Sequence, residues 1–344
     1  MHFFYFSLSF FAMSQGLKYW LSFFCYGGIE FKSFSGAKSK SEKILSLWSI
    51  VLPLLYAVFA IFMLIMVKVD ENNLVGCVKM FIVWSWMLGI LLVVFSTAKE
   101  KNNEKKFWET VERVEANLGC FVGVRKFNHS MGLKIWTLIV SSTSIQIILL
   151  IAAITRGDAG VTTATLSAFI PRLFFWFFTL KFVFYVDVLS FILRNLKLVN
   201  TIRITIHDFK QLGKCYMLCW RMSRILEDIF GWSLIFTSAT TTIGLLQAGY
   251  LFSMDLMKDG FYVNMLIQMA LIVLRVWVIA DSCEKCSKNT SAIATTIFSI
   301  NSQEFHSEVE GLGLQLLHQQ IVFAPKNLFE INRASFMQVS RFIG

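Results

Sequence analysis

Long apolar runs alternate with shorter polar, basic stretches along this chain, and the runs have the length of a bilayer crossing. A helix rising 1.5 Å per residue needs roughly 20 apolar residues to cover about 30 Å of hydrocarbon. Runs of this kind fall at about 46–67, 80–98, 135–155, 164–192, 229–253 and 261–280. They are numbered here spans 1 to 6. Spans 1, 2, 3 and 5 contain no Asp, Glu, His, Lys or Arg. Span 4 holds Arg172, Lys181 and Asp187, and span 6 holds Arg275. The pattern predicts an all-α, polytopic helical membrane protein, a single domain over residues 1–344, with no internal repeat or low-complexity linker.

The polar stretches also carry a helical period. Between spans 4 and 5, apolar residues recur at Leu196, Val199, Ile202, Ile206, Phe209, Leu212 and Tyr216, with Arg203, Lys210 and Lys214 off the stripe. Between spans 2 and 3, Phe107, Val111, Val114 and Leu118 share one face. This spacing predicts helices that extend beyond the membrane and pack there. A further helix is expected at about 301–324, and an incomplete one at 329–344. The apolar stretch 3–13 is too short to cross and lacks a basic leader, so it reads as an interfacial helix. A seventh span over 3–26 would have to bury Lys18.

Charge gives the direction of the spans. Lys and Arg number 25 in the amino-terminal stretch, the 2–3 and 4–5 connections and the tail, against four in the other three connections. Basic residues stay inside, so the amino terminus is expected in the cytoplasm, and the chain in the cell membrane as a multi-pass protein. The net charge of +10 would raise nucleic-acid binding in a soluble protein. Beside apolar spans it orients the chain, and no nucleic-acid partner is expected; the lipid bilayer is. With 56% hydrophobic and only 16% charged residues, a soluble domain of this length is excluded.

Little here resembles enzyme chemistry. No paired carboxylates, Ser-His-Asp set or phosphate loop occurs, and no catalytic residue or cofactor is expected. Cys283-x-x-Cys286 lacks the two further ligands of a zinc site, and Cys215 and Cys219 stand one turn apart; all four read as ordinary thiols. Of the intramembrane cations, Lys181 and Arg275 are close enough to the inner ends of their spans to snorkel as anchors. Arg172 is deeper and follows Pro171, which frees a backbone carbonyl; a guanidinium there either snorkels outward or lines a water-accessible ligand cavity. Thr163, Thr165, Trp84, Trp86, Gln247 and Tyr250 are the other candidates to line it, although aromatic belts have the same composition.

Two blocks of sequence then bear on the family. Gly313-Leu314-Gln315-Leu316-Leu317-His318-Gln319-Gln320-Ile321-Val322-Phe323, followed by Asn327-Leu328-Phe329-Glu330-Ile331-Asn332, resembles the carboxy-terminal signature of insect gustatory receptors. Residues 219–232, ending Asp228-Ile229-Phe230-Gly231-Trp232, are similar to the same family. The resemblance implies a ligand-gated, poorly selective cation channel subunit. Such subunits have seven spans and assemble as homo- or hetero-tetramers. An external small-molecule tastant would enter among the first spans, roughly 2 to 5, and the last helix would line the pore. The family's Thr-Tyr and Gln-Phe pattern in that last helix is absent here. The twelve residues after Asn332 rise only about 18 Å as a helix, so the chain is expected to stop short of a final span through a truncated gene model, a splice form or a degraded gene. A secondary transporter and a G-protein-coupled-type receptor are the alternative readings.

Overall fold

The computed structural model describes residues 51, 54–62, 74–118, 144–145, 147–148, 151, 154–155, 159–199, 206–253, 261–298 and 306–335. Six helices organise them: α1 (Leu74–Lys99), α2 (Lys101–Leu118), α3 (Ala159–Val199), α4 (Ile206–Ser253), α5 (Phe261–Phe298) and α6 (His306–His318). A 3-10 turn, Pro325–Asn327, follows. Among the described residues there is no strand, and each of the six predicted apolar runs is helical where it is described. Two stretches, 171–197 and 209–246, are long and apolar enough to cross a membrane, and 83–96 is a shorter apolar helix.

α3 is the central helix. From Phe174 to Leu196 nearly every side chain on it is buried, which its Phe-rich sequence anticipates: an apolar helix without a polar face has to be surrounded. α5 lies along α3, with Arg275 over Phe175 near one end of the contact and Asn289 Nδ2 donating to Ser190 Oγ (2.8 Å) near the other. The two helices therefore run parallel. α1 is parallel to both at its contact with α3, where Trp86 meets Arg172 and Gly89 meets Phe175. α4 runs the opposite way, with Gln211 near Asn117 and Thr240 near Gly89.

Gly89 permits a close approach in this layer. A Cβ there would stand 3.0 Å from Phe175 Cζ and 3.1 Å from Thr240 Cγ2, so a larger residue would push α1 off both α3 and α4.

The amphipathic stretches fold as their period requires. Phe107, Val111, Val114 and Leu118 on α2 are all buried, and so are Leu196, Phe209, Leu212 and Tyr216. Lys210 and Lys214 are exposed, off the stripe. Side chains of Val199, Ile202, Arg203 and Ile206 lie outside the described residues. α3 and α4, at 41 and 48 residues, extend well beyond their apolar runs. The helix expected at 301–324 is shorter: it begins at His306 among the described residues and stops at His318. Pro325 disfavours helix for the residue before it, and Lys326 (φ 48°) and Asn327 (φ 59°) take the left-handed conformation that turns the chain.

Candidate functional site

The candidate site is a small cavity where α1, α3, α4 and α5 meet. Trp86, Arg172, Phe175, Trp176, Thr240, Thr241, Leu271, Ile272 and Arg275 line it, around about 30 Å³ of free volume. That is room for one or two water-sized groups. Arg172 places its guanidinium carbon 5.2 Å from the centre of the Trp86 ring, and Arg275 sits 5.3 Å from that of Phe175. Both distances are those of cation–π contacts. Arg275 also donates to Thr241 Oγ1, while its Nε has no partner. Thr240 returns its hydroxyl to the Thr237 carbonyl at 3.0 Å, as buried threonines in apolar helices do.

Of the residues expected around such a cavity, Arg172 and Trp86 are brought together. Trp84 is not: it is 42% exposed and turned away, because two residues on a helix differ by about 200°. Side chains of Thr163, Thr165, Gln247 and Tyr250 lie outside the described residues. Arg275 was expected to snorkel and instead is buried, 7% exposed, with its guanidinium in the cavity. Thr240 and Thr241 went unnoticed within an apolar run; the only signal was their place in Thr240-Thr241-Thr242.

Lys181 also departs from expectation. It is fully buried within the protein and pairs with Glu104 of α2, so a carboxylate and not water meets its charge. Phe107, Trp108, Tyr185 and Phe230 surround that pair, with Trp108 Nε1 donating to Tyr185 Oη at 3.1 Å. A charged pair without water is tolerable only when both ions are matched, as here.

The two sequence blocks that carried the resemblance pack against each other. Glu227 Oε1 accepts from the Ala324 amide (3.1 Å), Asp228 Oδ1 from Lys326 Nζ (3.2 Å), and Gly231 faces the Lys326 side chain. Phe230 meets Phe178 at a tilt and Phe182 and Tyr185 edge-on, and Phe182 also meets Phe323 edge-on. Tyr216 donates to the Gln319 carbonyl at 2.8 Å, and Gln315 donates to the Gln319 side chain at 3.0 Å. Leu316 and Phe323 are buried. Leu314, Leu317, His318 and Phe329 are exposed.

Just beyond, Arg333 pairs with Asp281 and Glu284 of α5 and lies over Trp277, 5.2 Å from its ring centre. Burial raises the Asp281 carboxyl, but hydrogen bonds from Lys285 and Arg333, with their charges, outweigh it and hold the group below its ordinary range. Cys215, Cys219, Cys283 and Cys286 are buried free thiols. Among the described residues, no three His, Cys, Asp or Glu side chains converge as metal ligands would.

The sequence of residues 17–343 matches the family model of the 7tm chemosensory receptors. The chain belongs to that family. It is a family of receptors, not of enzymes, and its members are membrane proteins. Among solved structures, this chain is similar to the insect olfactory receptor OR5 from Machilis hrabei. The two are 8% identical, with 95% of this chain and 96% of that one covered, at a TM-score of 0.65. The same receptor in complex with eugenol matches at 9% identity over 97% and 96% of the two chains, with a TM-score of 0.56. At such low identity the likeness is one of fold, and the fold is that of a polytopic membrane receptor. No curated protein matches the sequence.

Proposed function

We propose that this chemosensory receptor chain is a gustatory-type subunit of a ligand-gated, poorly selective cation channel, opened by an external small-molecule tastant. The observation that carries the reading is the cavity at Arg172. A chain of this family encloses a polar, aromatic-walled cavity between apolar helices, where charged side chains are costly and mark function. The eugenol complex of OR5 is a small-molecule complex on the same fold, which supports a ligand role here. The block 313–332 favours the gustatory over the olfactory type, since that is the signature it resembles.

In this reading six spans alternate across the cell membrane with the amino terminus in the cytoplasm, and the parallel course of α1, α3 and α5 agrees with that alternation. The helices beyond the spans, together with 313–332, form a cytoplasmic collar through which four subunits associate. Ligand binding shifts a closed–open equilibrium in a shared pore. The test is expression of the chain, alone and together with other gustatory receptor subunits, with whole-cell current recorded across sugars, alkaloids and organic acids. An inward current evoked by at least one compound is expected. Surface-delivered protein that passes no current with any of them rejects the channel reading.

A further inference from the structure

Among the described residues, the two arginines of the cavity meet no counter-charge. Arg275 is almost wholly buried with an unpartnered Nε, and Arg172 lines the same small space. Among the described residues neither meets a carboxylate. Within the six spans Asp187 is the only acid. It stands fifteen residues beyond Arg172, about 22 Å along the helix. Nor do the near neighbours supply an acceptor with full charge: Trp86 and Phe175 offer ring faces, and Thr240 and Thr241 offer hydroxyls. Two like charges facing one low-dielectric space repel each other strongly, and burial makes each of them costly. A planar fork of N–H donors from each side matches a small oxyanion, held by charge-assisted hydrogen bonds.

We infer that the cavity is a site for one small monovalent anion, held between Arg172 and Arg275. About 30 Å³ suits a single carboxylate head group or a chloride, and excludes a phosphomonoester or a sugar ring. The carboxylate would be the head group of a short-chain organic acid, whose apolar tail is too large for the about 30 Å³ and stays outside it. The thiols, the ion pair at Lys181 and the carboxy-terminal cluster at Arg333 have their partners or their burial already explained. This inference deepens the ligand reading above by naming the chemical class, and rests on it only for the step from binding to gating.

The test uses the purified full chain in lipid nanodiscs, with sodium HEPES as background salt because its anion is too large for the cavity. The apparent melting midpoint is followed while sodium butyrate, sodium chloride or neutral butyramide is added. A ligand that binds only the folded state raises the midpoint in a saturable way. Butyrate or chloride is expected to do so, and butyramide is not. Which anion acts at the lower concentration tells an organic acid from an inorganic ion. In Arg172→Met and in Arg275→Met the apparent affinity should fall at least tenfold, whereas Arg275→Lys, which keeps the charge, retains part of it. Equal effects of butyramide and butyrate on the unaltered chain overturn the inference, and that comparison needs no variant to fold. So does an unchanged anion response in both Met variants. Anion binding without evoked current would leave this site standing and sink the channel reading. Current without anion binding would do the reverse.

Discussion

Lys181 of α3 and Glu104 of α2 form an ion pair with almost no access to water, though 77 residues separate them. The pair ties α2 to the central helix at the level where α1 ends and the chain turns at Glu100. Removing one partner leaves the other charge buried and unmatched. Lys181→Met or Glu104→Leu alone should each cost about 3–5 kcal/mol, whereas the double variant should recover most of it. Unfolding midpoints of the four proteins in one detergent measure the coupling. Additive losses would contradict the pairing.

Gly89 is a point of close contact among α1, α3 and α4. Gly89→Val should overpack it, displace Phe175 and Thr240, and cost about 1–3 kcal/mol. Both displaced residues line the cavity, so a weaker response to whichever ligand is active should accompany the lost stability. Gly249, where an added Cβ would meet nothing within 4 Å among the described residues, is the control: Gly249→Ala should leave the response unchanged and, by helix propensity, not lower the stability.

Tyr216 closes the contact between α4 and the end of α6. Tyr216→Phe deletes the hydroxyl that donates to the Gln319 carbonyl and should cost about 1–2 kcal/mol. The predicted readout is local: hydrogen exchange should quicken at 315–323 before it does in α3.

Glu115 on α2 gives a pH dependence. Burial, and then the nearby Glu112, push its carboxyl up from 4.5 to about 7, and its Oε1 has no partner. An acid whose folded value is raised holds its proton in the folded chain. Its contribution to stability is therefore complete below about 4.5 and is lost as pH rises through about 7. Melting midpoints should fall between pH 5 and 8, and Glu115→Gln should flatten that slope. An unchanged slope in the variant would assign the effect to another group.

The periodic parts of the fold were legible in the sequence because burial follows period. The α2 face at Phe107, Val111, Val114 and Leu118 and the extensions of α3 and α4 needed no knowledge of partners. Azimuth and long-range pairing were not legible. Depth along a span made Lys181 and Arg275 look like anchors, yet whether a long side chain reaches an interface depends on which neighbour its face meets. For Lys181 that neighbour is Glu104, and for Arg275 it is Thr241 with the ring of Phe175. Trp84 and Trp86 were equivalent by composition, and only the packing of α1 on α3 separates them. The end of α6 was not legible because the apolar pattern persists through Ile321 and Phe323, while the helix stops at His318.

α5 is a stiff shaft with a fitting at each of several stations. Arg275 faces the cavity, Trp277 lies under Arg333, and Asp281 and Glu284 grip that same arginine less than three turns further on. The residue that faces the cavity and those that hold the carboxy-terminal segment thus share one continuous helix, and a rigid rotation of it would move both.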